Sequence, residues 1–181
     1  MVCVGQALQA ALEAKGIGVI HDKTLYDNPS YNDAYIQSRK GVQAWLEQYP
    51  SISLVIDLHR DAAGDSATGQ LQTQVMIDGS PSAQLMIVVG SNAGGRQHPQ
   101  WKENLALAAK LHAQLEKRFP GICRPISFRT ERFNQDLSPG ALLIEVGAAG
   151  DTLEEALVAV GFLAEGISDL ALGTVTADST S

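Results

Sequence analysis

Two stretches decide how this chain folds: Val55-Ile56-Asp57-Leu58-His59-Arg60-Asp61 and Ala141-Leu142-Leu143-Ile144-Glu145-Val146-Gly147. Each is a short apolar run that carries ionisable groups inside it or at its end. Runs of this length and branching read as strands buried on both faces, as in a largely parallel sheet. Helical periodicity surrounds them. Ile36, Val42, Trp45 and Leu46 give the inner face of a helix over 32–49, with Pro50 after it. Thr152-Leu153-Glu154-Glu155 is a capping box that opens a last helix, whose inner face is Leu153, Leu157, Val160, Leu163, Ala164 and Ile167. Strands alternating with helices predict one α/β domain.

Further out, Val4, Leu8, Ala11 and Leu12 predict a first helix that ends at Gly16. Ile17-Gly18-Val19-Ile20 reads as a short buried strand, and Asp22 to Asn32 as a polar, turn-rich segment. Ala62 to Gly69 is a small-residue loop. Strands near Leu71–Ile77 and Ala83–Val89, joined by Asp78-Gly79-Ser80-Pro81, form a hairpin signal, which makes the sheet mixed. A third helix is expected from Pro99, with His98 as its entry residue, and a weaker strand over 124–128. The expected boundaries are a domain over 1–170 and a disordered tail over 171–181.

Composition narrows the function. The 181 residues are 45% hydrophobic and 18% charged, which excludes a wholly disordered chain. Thirteen basic residues against twenty acidic ones give a net charge of −7, so the basic footprint of a nucleic-acid binder is missing. No apolar run approaches the roughly 18–20 residues that span a bilayer. The first residues carry no basic signal-peptide region, so an export signal would lie on sequence not shown. Cys3 and Cys123 read as free thiols. Gly90-Ser91-Asn92-Ala93-Gly94-Gly95 lacks the Lys-Ser/Thr of a phosphate loop, and no Gly-x-Ser-x-Gly elbow is present.

Chemistry belongs at the carboxyl ends of the strands. Three strands put candidates there: His21 after Gly18-Val19-Ile20, His59 with Asp57 and Asp61 on alternate positions, and Glu145 inside its apolar run. Two histidines and a glutamate at one sheet edge suit a hydrolytic zinc centre, where imidazoles hold the ion and a carboxylate shuttles the proton of its water. Blander readings stand beside this one. His21 alone would more often be a surface or hydrogen-bonded group. Glu145 could be half of a buried ion pair with Arg60 or Arg129. His112 reads as a structural or surface group.

At these residues the chain resembles the stage II sporulation protein P family, peptidoglycan hydrolases distantly similar to zinc-dependent N-acetylmuramoyl-L-alanine amidases. The matching stretches are Gly18–Thr24, Pro29–Asn32, Ser38-Arg39, Val55–Ala62, His98–Leu105 and Phe133–Gly147, in order. The resemblance implies an amidase-like α/β fold, zinc as cofactor, and cleavage of the amide between N-acetylmuramic acid and the stem-peptide alanine. Cleavage of peptide cross-links is also attributed to the family. On it, His59 falls on a zinc histidine and Glu145 on the catalytic glutamate, a general base toward water and then an acid toward the leaving amine. His21 is either a further ligand or a residue that orients one. Arg60, Asn134 and Gln135 are glycan-peptide contacts or loop anchors. Peptidoglycan is the implied partner, with a sporulation membrane protein beside it. The implied location is extracytoplasmic, with a membrane anchor upstream in the full-length protein.

One departure sets a further expectation. Members of the family open the catalytic domain with a strand and a Thr-His motif that supplies another zinc ligand, and this sequence opens inside the first helix. A truncated first strand, weakened zinc binding and an inactive chain are therefore expected together. The alternative function is a non-catalytic peptidoglycan-binding or partner-binding fragment on the same scaffold.

Overall fold

The computed structural model describes residues 1–28, 30–65 and 69–173. In chain order its elements are α1 (Val2–Glu13), α2 (Ala34–Gln48), β1 (Val55–Asp61), β2 (Gly64–Asp65), β3 (Gly69–Gln70), β4 (Gln74–Ile77), β5 (Ser80–Ala83), β6 (Leu85–Val89), α3 (Trp101–Arg118), β7 (Ser127–Phe128), β8 (Ala141–Ala148) and α4 (Leu153–Leu172). Single 3-10 turns at Tyr31–Asp33 and Gln135–Leu137 complete the described regular structure.

The strand β8 sorts its side chains by parity, because successive residues of a strand point to opposite faces. Leu142, Ile144 and Val146 lie in one large apolar cluster with Leu85, Ile87 and Val89 of β6. Val4, Leu8 and Leu12 of α1, Leu111 and Leu115 of α3, and Val160, Leu163 and Ile167 of α4 close that cluster. Leu143 belongs to a separate small cluster with Met86, Val88 and Phe133 on the other face. Glu145 has the parity of Leu143. Three helices thus bury one face of the sheet, and the second face is left for the site.

The sheet order is β1-β8-β6-β7. β1 runs parallel to β8, and β6 parallel to β7, while β6 and β8 are antiparallel. The sheet is mixed, as expected, but for a different reason. The hairpin pairs β4 with β5 as a separate two-stranded ribbon, through Asp78 (φ 51°) and Gly79 (φ 78°). Two positive φ values in a two-residue turn suit an Asp-Gly pair and match the twist of the flanking strands. The expected strand over 83–89 therefore divides between β5 in the ribbon and β6 in the sheet.

Other expectations shift in instructive ways. Among the described residues Ile17–Ile20 pairs with no strand. It runs extended, with Ile17 and Val19 packed on the core and Ile20 turned outward. α2 buries no residue fully, and Ile36, expected inward, is 57% exposed. α3 begins at Trp101, because His98 to Trp101 forms a turn that carries Pro99 ahead of the helix. The capping box is present: Thr152 accepts from the Glu155 amide, and the Glu155 carboxylate accepts from the Thr152 amide. α4 continues through Leu172, past the expected boundary at 170, and the remainder of the expected tail, 174–181, lies outside the described residues. Both cysteines are free. Among the described residues no helix is long and apolar enough to cross a membrane.

Candidate active site

β1 and β8 are in register, with His59 directly opposite Glu145. Neighbouring strands lie about 4.8 Å apart, so the two side chains rise side by side on one face. Asp57 and Asp61 share the parity of His59 and stand on the same face. The Asp57 Oδ1 atom accepts from His59 Nε2 at 2.9 Å. Asp61 is paired with Arg124, at 2.7 Å. The expected ion pair of Glu145 with Arg60 or Arg129 is not formed. Instead Glu145 Oε2 is buried without a hydrogen-bond partner.

These groups open on a cavity of about 280 Å³. Its floor is Met86, Val88 and Leu143, and its walls are Tyr35 of α2 and Phe133. The Tyr35 ring lies nearly parallel to the His59 imidazole, with centroids 6.5 Å apart, and Phe133 tilts against Tyr35 at 5.9 Å. Arg129 and Glu131 also line the cavity. Phe133 and Asn134 both adopt positive φ, 50° and 58°. A phenylalanine in that region is strained and persists only where neighbours hold it. Here Asn134 Nδ2 donates to the Tyr35 carbonyl at 2.8 Å, which ties the loop to α2.

The electrostatics favour proton transfer. Burial pushes the Glu145 carboxyl above its ordinary range, and the Asp61 and Asp57 charges add to this, against the opposing pull of His59 and Arg124. The hydrogen bond to Asp57 raises the His59 imidazole above its ordinary value, despite the opposing effect of burial. A carboxyl whose proton affinity is raised, beside an imidazole held in orientation, is suited to take up and return a proton.

The remaining expected site residues lie elsewhere. His21 does not line the cavity: its ring packs on α1 at Gly5, where an added Cβ would stand 2.5 Å from Nε2. Burial lowers its affinity for a proton. Arg60 faces away from the cavity by parity. Its guanidinium donates to the Ala148 and Ala149 carbonyls at 2.9 Å each and to the Asp151 carbonyl, so it anchors the turn after β8. Gln135 is buried and clamps the end of β6, donating to the Val88 carbonyl at 2.9 Å and accepting from the Gly90 amide at 2.8 Å. Arg60, Asn134 and Gln135 are thus loop anchors here and not pocket contacts. Tyr35, Phe133 and Arg129 were missed as site residues. Phe133 adjoins the expected Asn134-Gln135 pair, but nothing in the sequence pattern brings Tyr35 to His59.

Zinc is tested by the donors present. An imidazole and a buried, unpartnered carboxylate oxygen fit the ion in chemistry. They fall short in number, because a structural zinc takes about four ligands and a catalytic one about three from protein. Among the described residues no group of three or more His, Cys, Asp or Glu side chains is placed to hold a metal.

Fold and site together define a class: an α/β domain with an imidazole–carboxylate pair at the carboxyl edge of a mixed sheet, open on one face. The family follows from comparison with known proteins. The family model described as stage II sporulation protein P (SpoIIP) matches residues 1–168, and the chain belongs to that family. It is similar to the stage II sporulation protein P of Bacillus subtilis (strain 168), at 29% identity over 178 residues. The alignment covers 92% of this chain and 42% of that relative, so the chain spans less than half of the relative's length. No solved structure matches it significantly.

Proposed function

We propose that this chain is the hydrolytic domain of a sporulation-type peptidoglycan hydrolase that cleaves the amide between N-acetylmuramic acid and the stem-peptide alanine. The observation that carries the reading is Glu145: a carboxylate inside an apolar strand, in register with His59, with one oxygen buried and unpartnered beside an open cavity. Binding alone does not require such a group, whose burial is costly without a partner.

In this reading Glu145 removes a proton from the water that attacks the amide carbonyl carbon, and then delivers it to the departing alanine nitrogen. Its raised proton affinity suits both halves of that cycle. His59 would hold a zinc ion, whose chemistry when bound is to polarise water and carbonyl oxygen, and further donors would have to come from beyond these two residues. The hydrogen bond that His59 donates to Asp57 fixes the imidazole's orientation. Tyr35 and Phe133 wall the cavity. The family's name ties the chain to sporulation. An extracytoplasmic, membrane-anchored location and a membrane partner belong to the same proposal.

The test is dye release from labelled cell wall by the zinc-loaded protein, with the products analysed for new alanine amino termini. Glu145→Gln should lower release by at least about 10²-fold, the usual worth of a general base, while the variant still pellets with the wall. Release at the wild-type rate would overturn the role of Glu145. Pelleting without any release by the wild-type chain would leave a wall-binding module in its place.

A further inference from the structure

We propose that Arg129 is the specificity-determining residue of this cavity and binds a carboxylate on the peptide part of the substrate. The inference rests on the hydrolytic reading and adds to it the charge of the substrate.

The cavity's ionisable lining is otherwise acidic apart from His59. Glu131 and Glu145 line it together with Asp61, and the Asp61 charge is already met by Arg124. Arg129 is the guanidinium in the lining. It forms no ion pair among the described residues, and its side-chain hydrogen bond is from Nε to Ser127 Oγ, at 2.9 Å. That bond uses the inner edge of the group. The two terminal nitrogens are left as donors, the fork that meets a carboxylate through two parallel bonds.

The mount is rigid even though the side chain is exposed. The Arg129 amide donates to the Val89 carbonyl at 2.8 Å. The following backbone lies so close to the end of β6 that a Cβ on Gly90 would stand 2.3 Å from the Glu131 carbonyl oxygen. Gln135 fastens the same strand end from the other side. A guanidinium unpaired among the described residues, carried on a fixed backbone at the cavity's rim, is the group that can meet an anionic part of the substrate. The peptide half of this substrate offers a matching group next to the scissile amide. The residue after the first alanine is a γ-linked glutamate, whose α-carboxyl is free in some walls and amidated in others.

The experiment compares purified disaccharide-peptides that differ only in that group, carboxylate or amide. The wild-type protein should favour the carboxylate form by roughly tenfold in kcat/KM, as one charge-assisted contact is worth, with the difference in KM and not in kcat. Arg129→Gln should abolish the preference, and Arg129→Lys should restore part of it. Calorimetry on the Glu145→Gln protein reads the same discrimination as binding, without turnover. Equal treatment of the two peptides by the wild type, or an undiminished preference in Arg129→Gln, would overturn the assignment. The two readings fail separately. A Glu145→Gln protein that still cuts, with the preference lost in Arg129→Gln, removes only the role of Glu145. A dead Glu145→Gln protein with the preference kept in Arg129→Gln removes only that of Arg129.

Discussion

His59 and Glu145 face each other across the parallel ladder, yet they differ in partnering: the imidazole is held by Asp57, and one Glu145 oxygen has no hydrogen-bond partner among the described residues. The carboxylate is therefore maintained at a cost to the fold. Its folded-state affinity for a proton is raised, chiefly by burial. A raised carboxyl binds more protons folded than unfolded, so its contribution is fully present below the unfolded value and is lost as pH climbs through the folded one. Glu145→Gln removes that loss. The variant should melt above the wild type at neutral pH, and the gap should close toward pH ~4, where both states hold the proton. Equal melting temperatures across that range would show that Glu145 is not strained by burial.

The Asp57–His59 bond has its own signature. The imidazole titrates above its ordinary value because Asp57 accepts a hydrogen bond from it, with burial opposing. In the metal-free protein, Asp57→Asn should lower the His59 midpoint, followed by NMR of the imidazole protons. The stability that the pair contributes is present below the unfolded histidine value, about 6.5, and is lost as pH rises through the folded one. An unmoved midpoint in the variant would mean that the 2.9 Å contact carries no charge stabilisation.

The parity of β1 and β8 was legible in the sequence. Alternation placed Asp57, His59 and Asp61 together, and an apolar run around Glu145 implied a buried strand beside them. The partnering of neighbours was less so. Ile17–Ile20 has the composition of a strand but no partner strand among the described residues, and composition cannot supply one. The expected strand over 83–89 breaks at Gln84, between β5 of the ribbon and β6 of the sheet, and no apolar pattern marks that break. α2 shows helical spacing but buries no residue fully: it packs on the 22–26 segment through Gly41 and Trp45 and reaches the site through Tyr35. Arg60 and Gln135 adjoin chemistry-bearing motifs in sequence. Their carbonyl partners lie 47 to 91 residues away, and no local pattern announces such contacts.

Arg60 yields a prediction that separates anchoring from substrate binding. Its guanidinium spans three carbonyls at the turn between β8 and α4, beside the backbone bond from the Ala149 amide to the Asp61 carbonyl of β1. Arg60→Ala should destabilise the protein by about 1.5–3 kcal/mol, the range for hydrogen bonds to a charged group. Arg60→Lys should recover little, since an ammonium cannot bridge the three oxygens as a planar fork does. Denaturant titration measures both. A stable variant with weakened wall binding would return Arg60 to the substrate.

His98 gives the opposite pH signature from His59. Its ring is 1% exposed, and neither nitrogen has a hydrogen-bond partner. Burial lowers its affinity for a proton; the Asp136 charge opposes this and Arg132 reinforces it. Asp136 is itself engaged by Arg39 at 2.8 Å and by Arg132 at 3.1 Å, so it is poorly placed to rescue an imidazolium. A depressed histidine binds fewer protons folded than unfolded. Its stabilising effect is therefore present above about 6.5 and is lost as pH falls toward the folded value. His98→Leu keeps the volume and removes the titration. The stability difference between this variant and the wild type should grow in the variant's favour between about pH 7 and pH 5, read by thermal melts in matched buffers. A constant difference over that interval would mean that the buried ring finds a partner once protonated.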